Sequence, residues 1–159
     1  MPPQETPKAL NSKAVGSVIK LGSRLNTRIY KMSGGRFGSK WRVGAGFKKP
    51  VPVILLTTIG RKSGKARTVP LLYLRDGSDV VVVASQGGMA SNPAWYLNLS
   101  ANPDVTIQEG SATTVMRARE ATDTERARLW PQLVEIYADF DTYQGWTDRK
   151  IPVIICQPK

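Results

Sequence analysis

The residues best suited to chemistry lie in one short turn, 60–67, which contains two glycines and four cationic side chains. The set is Arg61, Lys62, Lys65 and Arg67, with the hydroxyl of Ser63 among them. Such side chains supply charge-assisted donors for a phosphate or a carboxylate. Glycines let the main chain approach a ligand, and exposed N–H groups in such a turn can form an anion-binding concavity. A solvated, lysine-rich turn is the alternative, but the density of donors favours an anionic ligand.

The overall charge points to the same class of partner. The chain has 159 residues, a formal net charge of +11 and a pI near 10.1. This excess of positive charge is typical of proteins that bind nucleic acid, an acidic membrane surface or a polyanionic small molecule. The length fits a single domain, which we predict over residues 12–159, after a proline-rich, disordered tail at 1–11.

Histidine is absent and cysteine occurs once. A Ser-His or Cys-His nucleophile and a zinc site of the common Cys/His type are therefore excluded, and we expect no metal. Chemistry must come from a bound cofactor or from Tyr, Ser, Lys and carboxylate side chains. Cys156 lies in an apolar run, which predicts a small buried hydrophobe. With no disulfide pair, signal peptide or apolar run of membrane-spanning length, we expect a cytoplasmic protein.

Apolar runs separated by turn residues predict the elements that hold the cationic turn. Strands are expected at 51–59, 68–75, 79–85, 105–108, 113–118 and 151–156, and helices at 94–100 and 122–137. Thr122 and Glu125 have the spacing of a capping box. Strands joined by short hairpins, with few helices, predict an α+β fold: a split β-barrel of about six mostly antiparallel strands with a C-terminal helical segment.

An amphipathic basic helix is predicted at the N-terminal side of this barrel, over residues 12–32. Its apolar stripe would pack on the domain or lie on an anionic membrane. Residues 33–50, rich in glycine and cations, predict a loop.

Three further groups are candidates for a ligand site. Residues 85–88 end a strand in a glycine turn whose main chain could face a planar ring or a phosphate. Trp95 would line a ring-binding cleft or belong to the core. Tyr137, Phe140 and Tyr143, at i, i+3 and i+6, would share roughly one helix face and either wall a pocket for a flat substrate or pack in the core. P-loop and Rossmann nucleotide sites are excluded because the glycine spacing is wrong.

Four ordered motifs carry a family likeness. They are LLTTIGRKSG at 55–64, SQGG at 85–88, NPAWYLNLSANP at 92–103, and a C-terminal group that includes YQGWTDR at 143–149 and IPVIIC at 151–156. Together they resemble the deazaflavin-dependent nitroreductase family of actinobacteria, known as Ddn. The likeness covers nearly the whole chain after residue 10.

The resemblance implies a split β-barrel that binds reduced coenzyme F420, a deazaflavin with a phosphate and a polyglutamate tail, and passes a hydride from its C5 position to a quinone-like or nitro-aromatic acceptor. It assigns cofactor binding to Arg61, Lys62, Ser63, Arg67, Thr68, Val69, Pro70, Leu71, Leu72, Val83, Ala84, Ser85, Gln86, Ala94, Trp95, Asn98 and Phe140. It assigns catalytic roles to Tyr137, Tyr143 and Ser85. It also implies peripheral contact with the inner face of the cell membrane through residues 12–32.

Departures from the family pattern affect the substrate side. Leu72 and Phe140 stand where the best-known nitroreductase has tyrosines, and Gln86 replaces a lysine. Losing two phenols removes hydrogen-bond donors from the pocket, which favours cofactor use over nitro-prodrug activation. Two other functions stay open: a barrel that binds flavin mononucleotide, and a non-catalytic basic module for anionic lipid or nucleic acid. Nucleic acid is disfavoured because the aromatic residues are not interleaved with the cationic turn.

Overall fold

The computed structural model describes residues 27–28, 40–41 and 51–159, with side chains at 27–28 and from 52 onward. The predicted tail at 1–11 lies outside the described residues, as do most of the predicted helix at 12–32 and most of the loop at 33–50. Thr27 and Arg28 are helical, and a two-residue strand, β1 (Lys40–Trp41), falls inside the segment predicted as a loop.

Residues 51–159 contain seven further strands and three α-helices. The strands are β2 (Val51–Ile59), β3 (Ala66–Leu72), β4 (Leu74–Asp76), β5 (Asp79–Val83), β6 (Asp104–Glu109), β7 (Ala112–Glu120) and β8 (Val153–Pro158). The helices are α1 (Ala94–Ala101), α2 (Asp123–Ile136) and α3 (Asp139–Trp146), and a 3-10 turn occupies Gln86–Gly88. Every pairing among the described strands is antiparallel.

One bent strand closes the sheet. The sheet order is β1-β2-β6-β7-β8-β5-β4, and β3 also pairs with β2. Only Tyr73 separates β3 from β4, so the chain leaves β2 at Leu72 and joins β5 at Leu74, which pairs with Val81. The β3–β4 segment therefore links β2, near one end of the strand order, to β5, near the other end. The predicted split barrel is confirmed, with the strand expected at 68–75 divided in two by this change of partner.

Two hydrophobic clusters explain the valine-rich β5. Val80 and Val82 face the barrel interior with Ile54, while Val81 and Val83 face outward. The outer face is covered by α2 and α3, which contribute buried side chains of Leu129, Leu133 and Phe140. Both faces of β5 are thus buried, which is why a continuous apolar run forms this strand.

The single cysteine is confirmed as a buried hydrophobe. Cys156 is 0% exposed, in the barrel cluster, and burial raises the pKa of its thiol to about 12, with a smaller contribution from Asp79. The thiolate, which is the reactive form, is therefore scarce at neutral pH.

The predicted capping box is present at the start of α2. Thr122 Oγ1 accepts from the Glu125 N–H, and the Glu125 carboxylate accepts from the Thr122 N–H at 2.8 Å. Arg119 adds a bidentate pair to the same carboxylate, with both N–O distances at 2.7 Å. These donors, the Arg119 guanidinium first, lower the pKa of Glu125 from 4.5 to about 2.

Glu125→Gln is expected to lower the melting temperature at pH 7, with a deficit that shrinks as the pH falls from about 4.5 towards 2. A carboxyl whose pKa is lowered in the folded state stabilises the fold above its unfolded pKa, and this contribution is lost as the pH falls through the folded value. Thermal unfolding followed by circular dichroism between pH 7 and pH 2.5 measures it. Glu135→Gln, on the exposed side of the same helix, is the control. An unchanged deficit across that range would contradict the expectation.

Candidate active site

The cationic turn, hereafter the tip (residues 60–67), joins β2 to β3 and is held by its own main chain. The Gly60 N–H donates to Lys65 O and the Gly64 N–H donates to Gly60 O, both at 2.8 Å. The Lys65 N–H donates to Ser63 Oγ at 3.2 Å. A Cβ at Gly60 would lie 2.6 Å from that Ser63 Oγ and 3.3 Å from Lys65 O, so a larger residue there would displace the hydroxyl that holds the turn. Because three N–H groups are used inside the turn, an anion would be bound mainly by the side chains.

The cationic side chains of the tip have no carboxylate competitor in the part of the chain that the structure describes. Arg61, Lys62, Lys65 and Arg67 are all exposed, and none of the ion pairs formed among the described residues involves them. Four unpaired cations on one tight hairpin create a concentrated positive field. The tip is therefore the best anion-binding region among the described residues.

Asn98 connects the tip to α1. Its Oδ1 accepts from the Arg61 main-chain N–H at 3.2 Å and from Arg61 Nη1 at 3.3 Å, while its Nδ2 donates to Thr58 Oγ1 at 3.2 Å. Asn98 is only 4% exposed. A residue assigned by resemblance to cofactor binding thus uses its amide within the protein, where it orients Arg61.

A second group of predicted site residues surrounds the loop between β5 and α1. Gln86, Gly87 and Gly88 have φ angles of +46°, +62° and +76°, a left-handed run in which Gln86 lacks the freedom of glycine. A Cβ on Gly88 would lie 2.9 Å from Tyr143 O and 3.2 Å from the Trp146 ring. The loop containing Ser85 and Gln86 is therefore seated directly on α3.

The two candidate catalytic tyrosines meet beside this loop. Their hydroxyl oxygens are 2.7 Å apart and their ring centroids 5.9 Å. The expectation of one shared helix face was wrong, because Tyr137 terminates α2 and Tyr143 lies in α3. Burial, and then the bond to Tyr143, raise the pKa of Tyr137. Tyr137 is a neutral phenol at physiological pH, able to donate or accept a hydrogen bond.

Several predicted cofactor residues have side chains in the core instead. The buried ones are Pro70, Val83, Ala84, Trp95, Asn98 and Phe140. Trp95 belongs to the barrel cluster, and Phe140 packs edge-on against Tyr137 at 5.0 Å. These side chains therefore offer a ligand little accessible surface.

The remaining predicted residues divide between the two faces of β3 and the start of α1. Val69 and Leu71 pack against the barrel cluster, and Leu72 packs against the cluster beneath α2 and α3. The Thr68 hydroxyl bonds the Thr57 hydroxyl at 2.8 Å, and Ala94 is exposed.

Comparison with known proteins decides the family. A sequence profile described as F420H(2)-dependent quinone reductase matches residues 22–158. The chain belongs to this family. A Mycobacterium tuberculosis protein provisionally named an F420H(2)-dependent quinone reductase is 57% identical over 118 residues, 74% of this chain and 99% of the relative. An F420H(2)-dependent quinone reductase of the same organism is 38% identical over 135 residues, covering 83% and 87% of the two chains.

A solved structure supports the same assignment. An F420-H2 dependent reductase, FDR-A, is 43% identical with a TM-score of 0.63, covering 67% of this chain and 94% of that one. The chain is thus an oxidoreductase that uses reduced coenzyme F420, and the predicted cofactor is confirmed. Its family is that of the quinone reductases, so the quinone part of the predicted acceptor is also confirmed. None of the helices among the described residues could cross a bilayer as a hydrophobic span.

In this F420H(2)-dependent reductase, the cationic side chains of the tip have the chemistry that the cofactor needs. The exposed cations of the tip, which form no ion pair among the described residues, match a phosphate and a polyglutamate tail, since both are anionic.

A cavity of about 190 Å³ lies elsewhere, at the end of the barrel where Glu109 and Ala112 flank the β6–β7 turn. It is smaller than typical ligand pockets and lies beside the first half of β2, where Leu55 pairs with Gln108, rather than at the tip.

One residue of this reductase was missed by the sequence analysis. Arg149 stood inside the YQGWTDR motif and received no role. Its guanidinium donates to Ser85 O at 2.6 Å, Asn92 Oδ1 at 2.8 Å, Met89 O at 2.9 Å and Ala84 O at 3.1 Å. No local pattern predicts these partners, because they lie 57 to 65 residues away along the chain.

Proposed function

We propose that this chain binds F420H2 along the tip and the loop that follows β5, and that a quinone accepts the hydride next to the Tyr137–Tyr143 pair. The tip carries the proposal: exposed cations, without carboxylate partners among the described residues, stand on a hairpin that Asn98 holds against α1. This surface suits a long acidic tail better than a small neutral ligand. α1 begins where the loop ends, so a single extended ligand could follow both.

Each part of the site has a separate task. When bound, the coenzyme supplies the hydride. Arg61, Lys62 and Arg67 bind the acidic tail, and the main chain of Ser85 and Gln86 orients the ring. A quinone that receives a hydride also needs a proton on its oxygen, and a neutral phenol of the tyrosine pair can donate a hydrogen bond to that atom. The proton itself comes from solvent, and the phenol stays neutral.

The aromatic wall favours a flat acceptor. Tyr143 lies 5.6 Å from Trp146 and 5.9 Å from Tyr137 between ring centroids, and both tyrosines are partly exposed. Such rings pack against planar molecules. We extend the proposal to nitro-aromatic acceptors as weaker substrates, since Leu72 and Phe140 offer no phenol to a nitro group. Contact of residues 12–32 with an anionic membrane would bring the site to a lipid-soluble quinone.

A spectroscopic assay tests the proposal. Purified protein mixed with F420H2 and menadione should show growth of the oxidised deazaflavin absorbance, well above the rate of each mixture lacking one component. Flavin mononucleotide, reduced and tested in parallel, should give no comparable rate. A protein that purifies with bound flavin, or one that binds vesicles or DNA with steep salt dependence but leaves F420H2 unoxidised, would contradict the proposal.

A further inference from the structure

Arg149 is a cation that pairs with main-chain and amide oxygens. Burial lowers the pKa of its guanidinium, but an arginine stays protonated. Its four acceptors lie on Ala84, Ser85, Met89 and Asn92, and none of the ion pairs formed within the described residues includes it. The planar fork of donors thus spans the loop from one side of the 3-10 turn to the other.

The loop needs such support because of its backbone. Three consecutive residues, Gln86 to Gly88, have positive φ angles, and Gln86 is the only non-glycine residue with a positive φ among the described residues. Backbone of this kind persists only where its surroundings enforce it. The bonds to Ser85 O and Met89 O hold the chain immediately before and after the left-handed run.

Arg149 is itself fixed to the helix that carries Tyr143. Gln144 Nε2 donates to Arg149 O at 2.8 Å, and Gln144 Oε1 accepts from the Ile151 N–H at 2.9 Å. Gly88 contacts Tyr143 from the loop side. The main chain of Arg149 is therefore bonded to α3, and its side chain is bonded to the loop. The residue thus sets the distance between α3 and the loop.

We propose that Arg149 is a positioning residue for hydride transfer, which holds the main chain of Ser85 and Gln86 at a fixed separation from the Tyr137–Tyr143 pair. The inference rests on the proposed function, because those two groups are the proposed ring-binding and acceptor sides. Small misplacements of reacting groups lower the rate steeply. Affinity for the coenzyme should depend instead on the tip, which Arg149 does not touch. The effect of its loss should thus fall on kcat.

Arg149→Lys tests the inference because lysine keeps the charge and loses the fork. We expect kcat with F420H2 and menadione to fall by about 10- to 100-fold, while KM for F420H2 changes by less than about threefold, a factor worth well under 1.4 kcal/mol. In the protein without coenzyme, amide hydrogen exchange over residues 84–92 should accelerate, whereas exchange over the tip should not. Arg128→Ala, which removes an exposed cation bound to Asp76, is the control and should leave all three measurements unchanged.

Two results would overturn the inference. One is an Arg149→Lys variant that folds with unchanged kcat and unchanged exchange, and the other is a rise in KM alone. If that variant does not fold, Asn92→Ala removes a single acceptor and should lower kcat by about three- to tenfold at constant KM; an unchanged kcat would again overturn it. Failure of the proposed function is distinguishable, because the unsubstituted protein would then not oxidise F420H2.

Discussion

Replacing Arg61 and Lys62 together by alanine is expected to weaken binding of coenzyme F420 by about 100-fold or more. A hydrogen bond to a charged group contributes roughly 1.5–3 kcal/mol, and each 1.4 kcal/mol is a factor of ten in affinity. Both side chains are exposed and neither forms an ion pair with another described residue, so their removal leaves no buried charge behind. Asn98 Oδ1 still accepts the main-chain N–H at position 61. The fold should therefore be unaffected.

Titration of coenzyme fluorescence against protein, at two salt concentrations, measures this loss. The salt dependence of the dissociation constant should become shallower in the variant, because fewer charges are neutralised on binding. Arg75→Ala with Arg128→Ala removes the same charge elsewhere, from exposed arginines paired with the half-buried Glu109 and Asp76, and should bind nearly as the unsubstituted protein does. Equal weakening in the two double variants would show that net charge, rather than the tip, governs affinity.

Gly88→Ala is expected to destabilise the protein by about 2–4 kcal/mol and to abolish most of its reductase activity. Two costs add. The residue has a φ of +76°, which costs a side chain roughly 1–2 kcal/mol, and the new Cβ would lie 2.9 Å from the main-chain oxygen of Tyr143. Backbone on both sides of the contact must move, and this contact seats the loop of Ser85 and Gln86, which we propose to orient the ring, on α3.

Gly110→Ala is the matched control. Gly110 has a φ of +60°, and a Cβ there would meet nothing within 4 Å, so only the conformational cost remains. Urea unfolding should show the larger loss for Gly88→Ala, and kcat should fall only in that variant. Similar stabilities and similar kcat values in the two would indicate that α3 and the loop are not in close contact.

Local patterns predicted the parts of the fold that depend on local physics. The capping box of Thr122 and Glu125 was predicted because its bonds join residues three apart, and the tip was predicted as the end of a hairpin between two apolar runs. The break at Tyr73 was not predicted. Both halves of that strand read as one apolar segment, and the change of partner from β2 to β5 depends on barrel closure.

The candidate site shows the same division between local and distant determinants. The exposed cations of the tip could be predicted from the sequence, because charge and turn residues suffice. The roles of Asn98 and Trp95 could not be predicted. The sequence of a short helix does not show whether an amide or an indole side chain contacts a ligand, the main chain or the core. Arg149 was missed because its acceptors come from a distant loop. Tyr137 and Tyr143 were predicted to be neighbours, but on one helix rather than on two.

The position of Cys156 has a consequence for an enzyme that handles quinones. Quinones are electrophiles that alkylate accessible thiolates, so a catalyst exposed to them at every turnover risks covalent self-inactivation. The only cysteine of this chain is 0% exposed inside the barrel, and its thiol has a pKa of about 12. The chain has no histidine and its one thiol is buried, so the folded protein offers its acceptor no accessible thiolate. The barrel interior thus protects the enzyme from arylation by its own substrate.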